Sequence, residues 1–186
     1  MRIIAGEFRS RVLLAPESDQ TTRPITDRVK QSVFDIVTPL LEEATVYDCF
    51  AGTGSMGLEC LSRGARRAVF FEGDRSALVR LKKNIASLGL EGRSQVVAGD
   101  LFKYFATAPA SGDVGLIFLD PPYRFLREQP ERLRELGERL AGHLSAEGWV
   151  VFRHDAADKL ELPGLQRDDA RTYGGMELEF LKRSET

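Results

Sequence analysis

"TVYDCFAGTGSMGLECLSRG", residues 45–64, decides the fold. It opens with β-branched and aromatic residues suited to a strand, reaches an acid at Asp48, and then enters a glycine-rich turn. After the turn, "SMGLECLSRG" reads as a short helix closed by Gly64. Strand, glycine turn and helix in succession open a βαβ unit, and a chain that repeats this rhythm builds a mainly parallel sheet with helices on both faces.

The rhythm does repeat. "AVFFE" (68–72) is a second strand, and the helix after Asp74 carries Leu78, Leu81, Ile85 and Leu88 on one face before Gly89 stops it. "SQVVAGD" (94–100), "VGLIFLD" (114–120) and "GWVVFR" (148–153) are three further strands, with helices expected near residues 101–106 and 130–144. "ARTYGGMELEFLKR" (170–183) breaks the alternation: two strands meeting at Gly174 and Gly175 predict an antiparallel hairpin closing one edge. Upstream, "RIIAGEFRSRVLL" (2–14) reads as two short strands around Gly6, and Pro16 to Thr22 as a loop. Val29, Val33, Ile36, Val37 and Leu40 then recur at helical spacing, with Pro39 disrupting continuation. The expected organisation is an N-terminal arm of hairpin and helix over residues 1–44 and an α/β, Rossmann-like sheet domain over residues 45–186.

Composition bounds the function. The 186 residues are 42% hydrophobic and 29% charged, ordinary for one globular domain. A formal net charge of -2 excludes a polycation. The first thirty residues nonetheless carry six basic side chains against four acidic ones, while the remainder carries 20 against 24, an asymmetry that points the arm toward an anionic partner. No apolar run approaches the roughly 18 residues that span a bilayer, and the N-terminus lacks the apolar core of a signal peptide, so the expected location is the cytoplasm with no membrane partner. Cys49 and Cys60 are isolated in apolar segments and read as core residues. His143 and His154 lack a nearby second ligand, so no metal is expected.

In an open sheet of this kind ligands bind beyond the carboxyl ends of the strands. Asp48 and the glycines end the first sheet strand, Glu72 the second, Asp100 the third and "DPPY" (120–123) the fourth, so four polar strand ends converge on one crevice. "GTGSMG" (52–57) is a literal G-x-G-x-x-G followed by the acid Glu72, the dinucleotide pattern, and a nicotinamide enzyme is one reading. Asp48 argues against it, because a carboxylate just ahead of the glycines repels a pyrophosphate. S-adenosylmethionine suits the site better: it has no phosphate, and its ammonium can be accepted by a carboxylate. Gly52 and Gly54 let the backbone approach such a ligand closely. Glu72 suits two ribose hydroxyls and Asp100 the adenine amino group; the alternative for Asp100 is the cap of a helix beginning at Leu101, and both roles can coexist.

"LDPPYRF", residues 119–125, supplies the chemistry. An exocyclic amino group on a nucleobase is a poor nucleophile because its lone pair is delocalised into the ring. Two acceptors for its hydrogens favour a more pyramidal nitrogen. Asp120 supplies one acceptor and the Pro121 carbonyl the other, held by the restricted backbone of Pro121 and Pro122. Tyr123 offers a face on which an extruded base can stack. The alternative is a plain turn after a strand, with Asp120 as a cap.

"DCFAGTGSMGLECLSRGA", "FFEGD", "VVAGD" and "IFLDPPY" resemble class I S-adenosylmethionine-dependent methyltransferases that modify exocyclic amino groups. "RIIAGEFRSRVLL", "RPITDRVKQSVFDI" and "TYGGMELEFLKR" are similar to the RsmD family, which methylates guanine N2 in 16S ribosomal RNA; the similarity runs from Arg2 to Lys182. The "DPPY" element is shared with adenine methyltransferases and protein glutamine methyltransferases, whereas the arm is specific. The resemblance implies that Asp48, Gly52 and Gly54 hold the methionine part of S-adenosylmethionine, Glu72 the ribose and Asp100 the adenine. It puts Asp120, Pro121, Pro122 and Tyr123 at the target guanine, and Arg23 and Arg28 near the RNA entrance. The implied partner is 16S ribosomal RNA within a 30S subunit or an assembly intermediate, met by a monomer. An adenine-N6 DNA methyltransferase would share the site but needs an added target-recognition region, for which few residues remain.

Overall fold

The computed structural model describes residues 1–16 and 25–184. The expected loop therefore lies outside the described residues beyond Pro16, as does Arg23. Seven strands form one sheet in the order β3-β2-β1-β4-β5-β7-β6. The strands are β1 (Thr45–Cys49), β2 (Arg67–Glu72), β3 (Ser94–Ala98), β4 (Val114–Leu119), β5 (Leu144–Asp155), β6 (Leu165–Tyr173) and β7 (Met176–Arg183). The first five run parallel, and β7 enters antiparallel between β5 and the edge strand β6. This is the Rossmann-like α/β sheet with an antiparallel C-terminal hairpin. The order of strand succession reverses between β1-β2-β3 and β4-β5 while all five stay parallel, so the crevice of the switch point opens at the carboxyl ends of β1 and β4.

Alternation along each strand sorts side chains onto two faces. Val46, Phe70, Phe118 and Val151 face one layer, completed by α1 (Asp27–Val37), α2 (Ser55–Ser62) and α3 (Arg75–Leu88). Cys49, Phe71, Leu119 and Phe152 face the other, covered by α4 (Leu101–Thr107) and α6 (Pro130–His143). Both cysteines are fully buried and free, as core residues should be. The helix boundaries have local causes. Thr26 Oγ1 accepts the Val29 N–H at the start of α1, Asp74 accepts the Ala77 N–H at the start of α3, and Gly89 ends α3 with a left-handed φ of 67°. Pro39 falls in the short turn Thr38–Leu40 that follows α1.

The N-terminal segment corrects an expectation. Residues 2–14 do not form two strands; their ladder is a single antiparallel bridge between Arg2 and Val12. The reason is competition from side chains. Glu59 of α2 accepts the Ile4 and Ala5 N–H groups at 2.9 and 3.0 Å, and Ser62 Oγ accepts that of Phe8 at 2.9 Å. Gly6 lies so close to α2 that a Cβ there would stand 1.8 Å from the Ser62 carbonyl oxygen. The segment pairs with itself at Ile3 with Ser10 and Arg11 and at Met1 with Leu13, while the residues between are bolted to α2. Two further features escaped the sequence reading: α5 (Arg124–Glu128), directly after "DPPY", and the full length of β5, twelve residues rather than six.

Candidate active site

A cleft of about 580 Å³ lies beyond the carboxyl ends of β1 to β4. Gly52, Glu72, Asp100, Asp120 and Pro122 all reach its wall, so four strand ends do meet there. Gly52 has a φ of 57°, and a Cβ built on it meets nothing within 4 Å, so this stretch of backbone is bare toward a ligand. Gly54 differs: its Cβ would strike Leu81 at 2.5 Å, which makes it a packing glycine between α2 and α3.

Asp48 sits behind that wall. Its carboxylate is buried beneath the glycine turn, with Oδ2 accepting the Gly57 N–H at 2.9 Å. Burial is the main cause that lifts its pKa to about 8, with Asp120 and Glu72 adding repulsion and the Gly57 N–H opposing. Glu72 braces the same turn. Its Oε2 accepts from Gly52 N–H at 2.6 Å, and its Oε1 accepts from Gly73 and Asp74 N–H at 2.8 and 2.7 Å. Burial still holds Glu72 above the usual carboxylate range. Asp100 caps α4 by accepting the Phe102 N–H at 2.9 Å and pairs with Arg132 at 3.1 Å. Burial would raise its pKa, but these partners outweigh it and hold the group low.

Asp120 follows β4. Its Oδ2 pairs with Arg153 Nη1 at 2.8 Å, and its Oδ1 is buried without a hydrogen-bond partner among the described residues. Pro121 is buried, and Tyr123 is half-buried with its ring beneath Arg153, whose guanidinium carbon lies 5.6 Å from the ring centroid. The ring that reaches the cleft from this loop is Phe125, which meets Phe50 at 5.8 Å and Phe102 at 6.2 Å in a three-ring aromatic wall. The sequence reading missed Phe125, Phe102, Arg132 and Arg153. Arg153 had a signal: a cation at the carboxyl end of an apolar strand needs a buried anion.

Two further charged groupings lie outside the cleft. Lys30 and Glu59 form a buried ion pair at 2.9 Å, extended by Arg63 at 2.8 Å. His154 does gain the neighbours that the sequence did not suggest: strand pairing brings Glu177 and Glu179 beside it, with one ligand atom from each of the three within 4.8 Å of the others. Lys159 pairs with Glu177 at 2.8 Å and Arg167 with Glu179 at 3.4 Å, so ion pairs already answer both carboxylates.

A doubly wound sheet with a bare glycine turn, an acid on the second strand and "DPPY" on the fourth defines a class I, S-adenosylmethionine-dependent methyltransferase. Within that class the chain belongs to the RsmD family: the family model described as Conserved hypothetical protein 95 matches residues 1–182. The chain is 37% identical over 151 residues to Ribosomal RNA small subunit methyltransferase D of Escherichia coli strain K12, covering 81% of this chain and 70% of that protein. It is 35% identical over 182 residues to YlbH of Bacillus subtilis strain 168, with 94% of each covered. The solved structure of yhhF from Escherichia coli superposes with a TM-score of 0.83 at 29% identity, covering 100% of this chain and 99% of that one.

Proposed function

We propose that this protein transfers a methyl group from S-adenosylmethionine to the exocyclic N2 of a guanine in 16S ribosomal RNA, in a 30S particle or an assembly intermediate in the cytoplasm. The observation that carries this reading is Asp120: a carboxylate at the cleft wall with one oxygen fixed by Arg153 and the other buried without a donor. An acceptor in that state is costly until an N–H reaches it, and an amino group supplies one. The donor set fits the cofactor as well. Gly52 presents bare backbone, Glu72 keeps about one of its four acceptor sites beyond its three N–H contacts for a ribose hydroxyl, and Asp100 stands at the adenine end beside Phe102.

When bound, S-adenosylmethionine supplies an electrophilic methyl on a sulfonium. The chain's own residues then position the nucleophile. Asp120 and the Pro121 carbonyl each accept one amino hydrogen, which favours a pyramidal nitrogen with its lone pair available. Pro122 restricts the backbone that carries this carbonyl. Catalysis rests on positioning and electrostatics rather than on a strong base. Residues 1–44 serve as the RNA-facing arm, with Arg23, which lies outside the described residues, and the exposed Arg28 as its cations for phosphate, and residues 45–186 carry cofactor and chemistry. The Escherichia coli relative's name, a small-subunit ribosomal RNA methyltransferase, supports the substrate class.

Two measurements test this. Calorimetry should detect S-adenosylhomocysteine binding and no binding of NAD. Mapping methylated nucleotides in 16S ribosomal RNA from cells with and without the gene should reveal one N2-methylguanine that depends on it. Loss of a different modification would redirect the assignment, and tight NAD binding would end it.

A further inference from the structure

We propose that Arg153 is a positioning residue for methyl transfer, holding Asp120 as an oriented, acceptor-only carboxylate. This rests on the reading of Asp120 given above. The register dictates the encounter. Leu119 of β4 pairs with Phe152 of β5, so the next step along both strands sets Asp120 beside Arg153. Arg153 is only 4% exposed, and its guanidinium is held from more than one side. Nη1 meets Asp120 Oδ2 at 2.8 Å, Nε lies 2.8 Å from Met176 Sδ, and the group sits over Tyr123. Met176 opens β7 directly after the Gly174-Gly175 turn, so the C-terminal hairpin braces the active-site loop through this one side chain.

The chemistry explains why a cation belongs there. A buried carboxyl group drifts toward its neutral form, and a protonated Asp120 would carry a donor where the reaction needs an acceptor. Burial does push Asp120 above its ordinary value, and Arg153 is the opposing influence. Burial alone would weaken the charge on Arg153, but Asp120 and Tyr123 outweigh it and keep the guanidinium firmly protonated. The other groups acting around the pair are Asp48 on β1, whose own pKa Asp120 helps to raise, and Asp155, which acts on Tyr123. With Oδ2 committed to Arg153, Oδ1 is the carboxylate oxygen without a donor among the described residues, and an incoming amino group must displace the atoms that shield it from solvent.

The test compares Arg153→Gln, Arg153→Lys and Asp120→Ala, using 30S particles that lack the modification and radiolabelled S-adenosylmethionine. Arg153→Gln should bind S-adenosylhomocysteine as the parent does, and its single-turnover rate should fall about 10- to 100-fold, the loss expected for one hydrogen bond to a charged group. The acid limb of its pH–rate profile should move to higher pH. Arg153→Lys keeps the charge but loses the fork, so it should leave the acid limb in place while lowering the rate. An Arg153→Gln protein with the parental rate and profile overturns the proposal; should that variant not fold, a fully active Arg153→Lys overturns it instead. Full activity in Asp120→Ala strikes at the function proposed above, so the two failures are distinguishable.

Discussion

Asp48 Oδ2 accepts the Gly57 N–H at 2.9 Å from beneath the glycine turn, which places a buried carboxylate where it braces the loop at a cost to stability. Its pKa of about 8 in the fold stands far above the ordinary 3.8, so the folded state retains a proton that the unfolded chain releases. The associated stability is fully present below the lower value and declines as pH rises toward the higher one, by up to about 1.4 kcal/mol per pH unit. Asp48→Asn removes this titration while keeping an acceptor oxygen for Gly57. Urea denaturation should find the variant more stable than the parent at pH 9 and closer to it at pH 5. Cofactor affinity should move the other way, weakening in the variant if Asp48 answers the methionine ammonium. A variant that is no more stable at pH 9 would mean that Asp48 is already comfortably ionised.

The arm depends on a second buried charge. Glu59 is fully buried, accepts two backbone N–H groups of the arm, and pairs with Lys30, itself buried. Burial would raise the Glu59 pKa, but Lys30 and these hydrogen bonds outweigh it and hold the group low. Glu59→Ala leaves the Lys30 ammonium buried without its partner and should cost about 3 to 5 kcal/mol. Hydrogen exchange at Ile4 and Ala5 should accelerate together with that loss. Replacing Lys30 by Met as well should recover part of the stability. Slow exchange at both amides in Glu59→Ala would show that the arm is held by its apolar contacts alone.

Most of this framework was legible in the sequence because it rests on local patterns. Apolar runs ending in Asp48, Glu72, Asp100 and Asp120 marked the parallel strands and the polar ends that gather at the crevice, and Gly174-Gly175 marked the hairpin. What escaped depends on pairings distant in sequence. Arg153 meets Asp120 only through the β4-β5 register, and His154 meets Glu179 only through β5 and β7. The arm misled for a related reason. Its alternating apolar residues look like strands, but the amides of Ile4, Ala5 and Phe8 are taken by Glu59 and Ser62, more than fifty residues away. No periodicity within residues 2–14 encodes that competition.

An exposed cation tests the RNA surface without touching the chemistry. Arg28 is exposed on α1, and Arg124 stands at the cleft with an exposed side chain. Replacing each by Ala should weaken binding to 16S ribosomal RNA and flatten its salt dependence by about one phosphate contact's worth of slope per residue. Affinity for S-adenosylhomocysteine should stay unchanged in Arg28→Ala, which lies away from the cleft. An unaltered slope in both variants would move the RNA path to another face.

The loop after β4 offers two rings for a flipped base, and they separate by mutation. Tyr123 lies under Arg153, whereas Phe125 reaches the cleft within the aromatic wall of Phe50 and Phe102. If the base stacks on Tyr123, Tyr123→Ala should cost about 1 to 3 kcal/mol in kcat/KM, the range for one stacked base, while Tyr123→Phe should be mild. If Phe125 is the platform, that loss appears in Phe125→Ala, and the Tyr123 variants act only through the position of Arg153. Asp120→Ala should abolish most turnover in either case while leaving cofactor binding nearly intact, because the lost contact acts on the transition state. Asp120→Asn keeps one acceptor oxygen without the charge. It should retain partial activity if orientation of that acceptor matters more than full charge, and it should lose the acid limb that the parent owes to Asp120. Single-turnover methylation of 30S particles measures all five variants on one scale. Equal and complete activity across them would reduce "DPPY" to a structural turn.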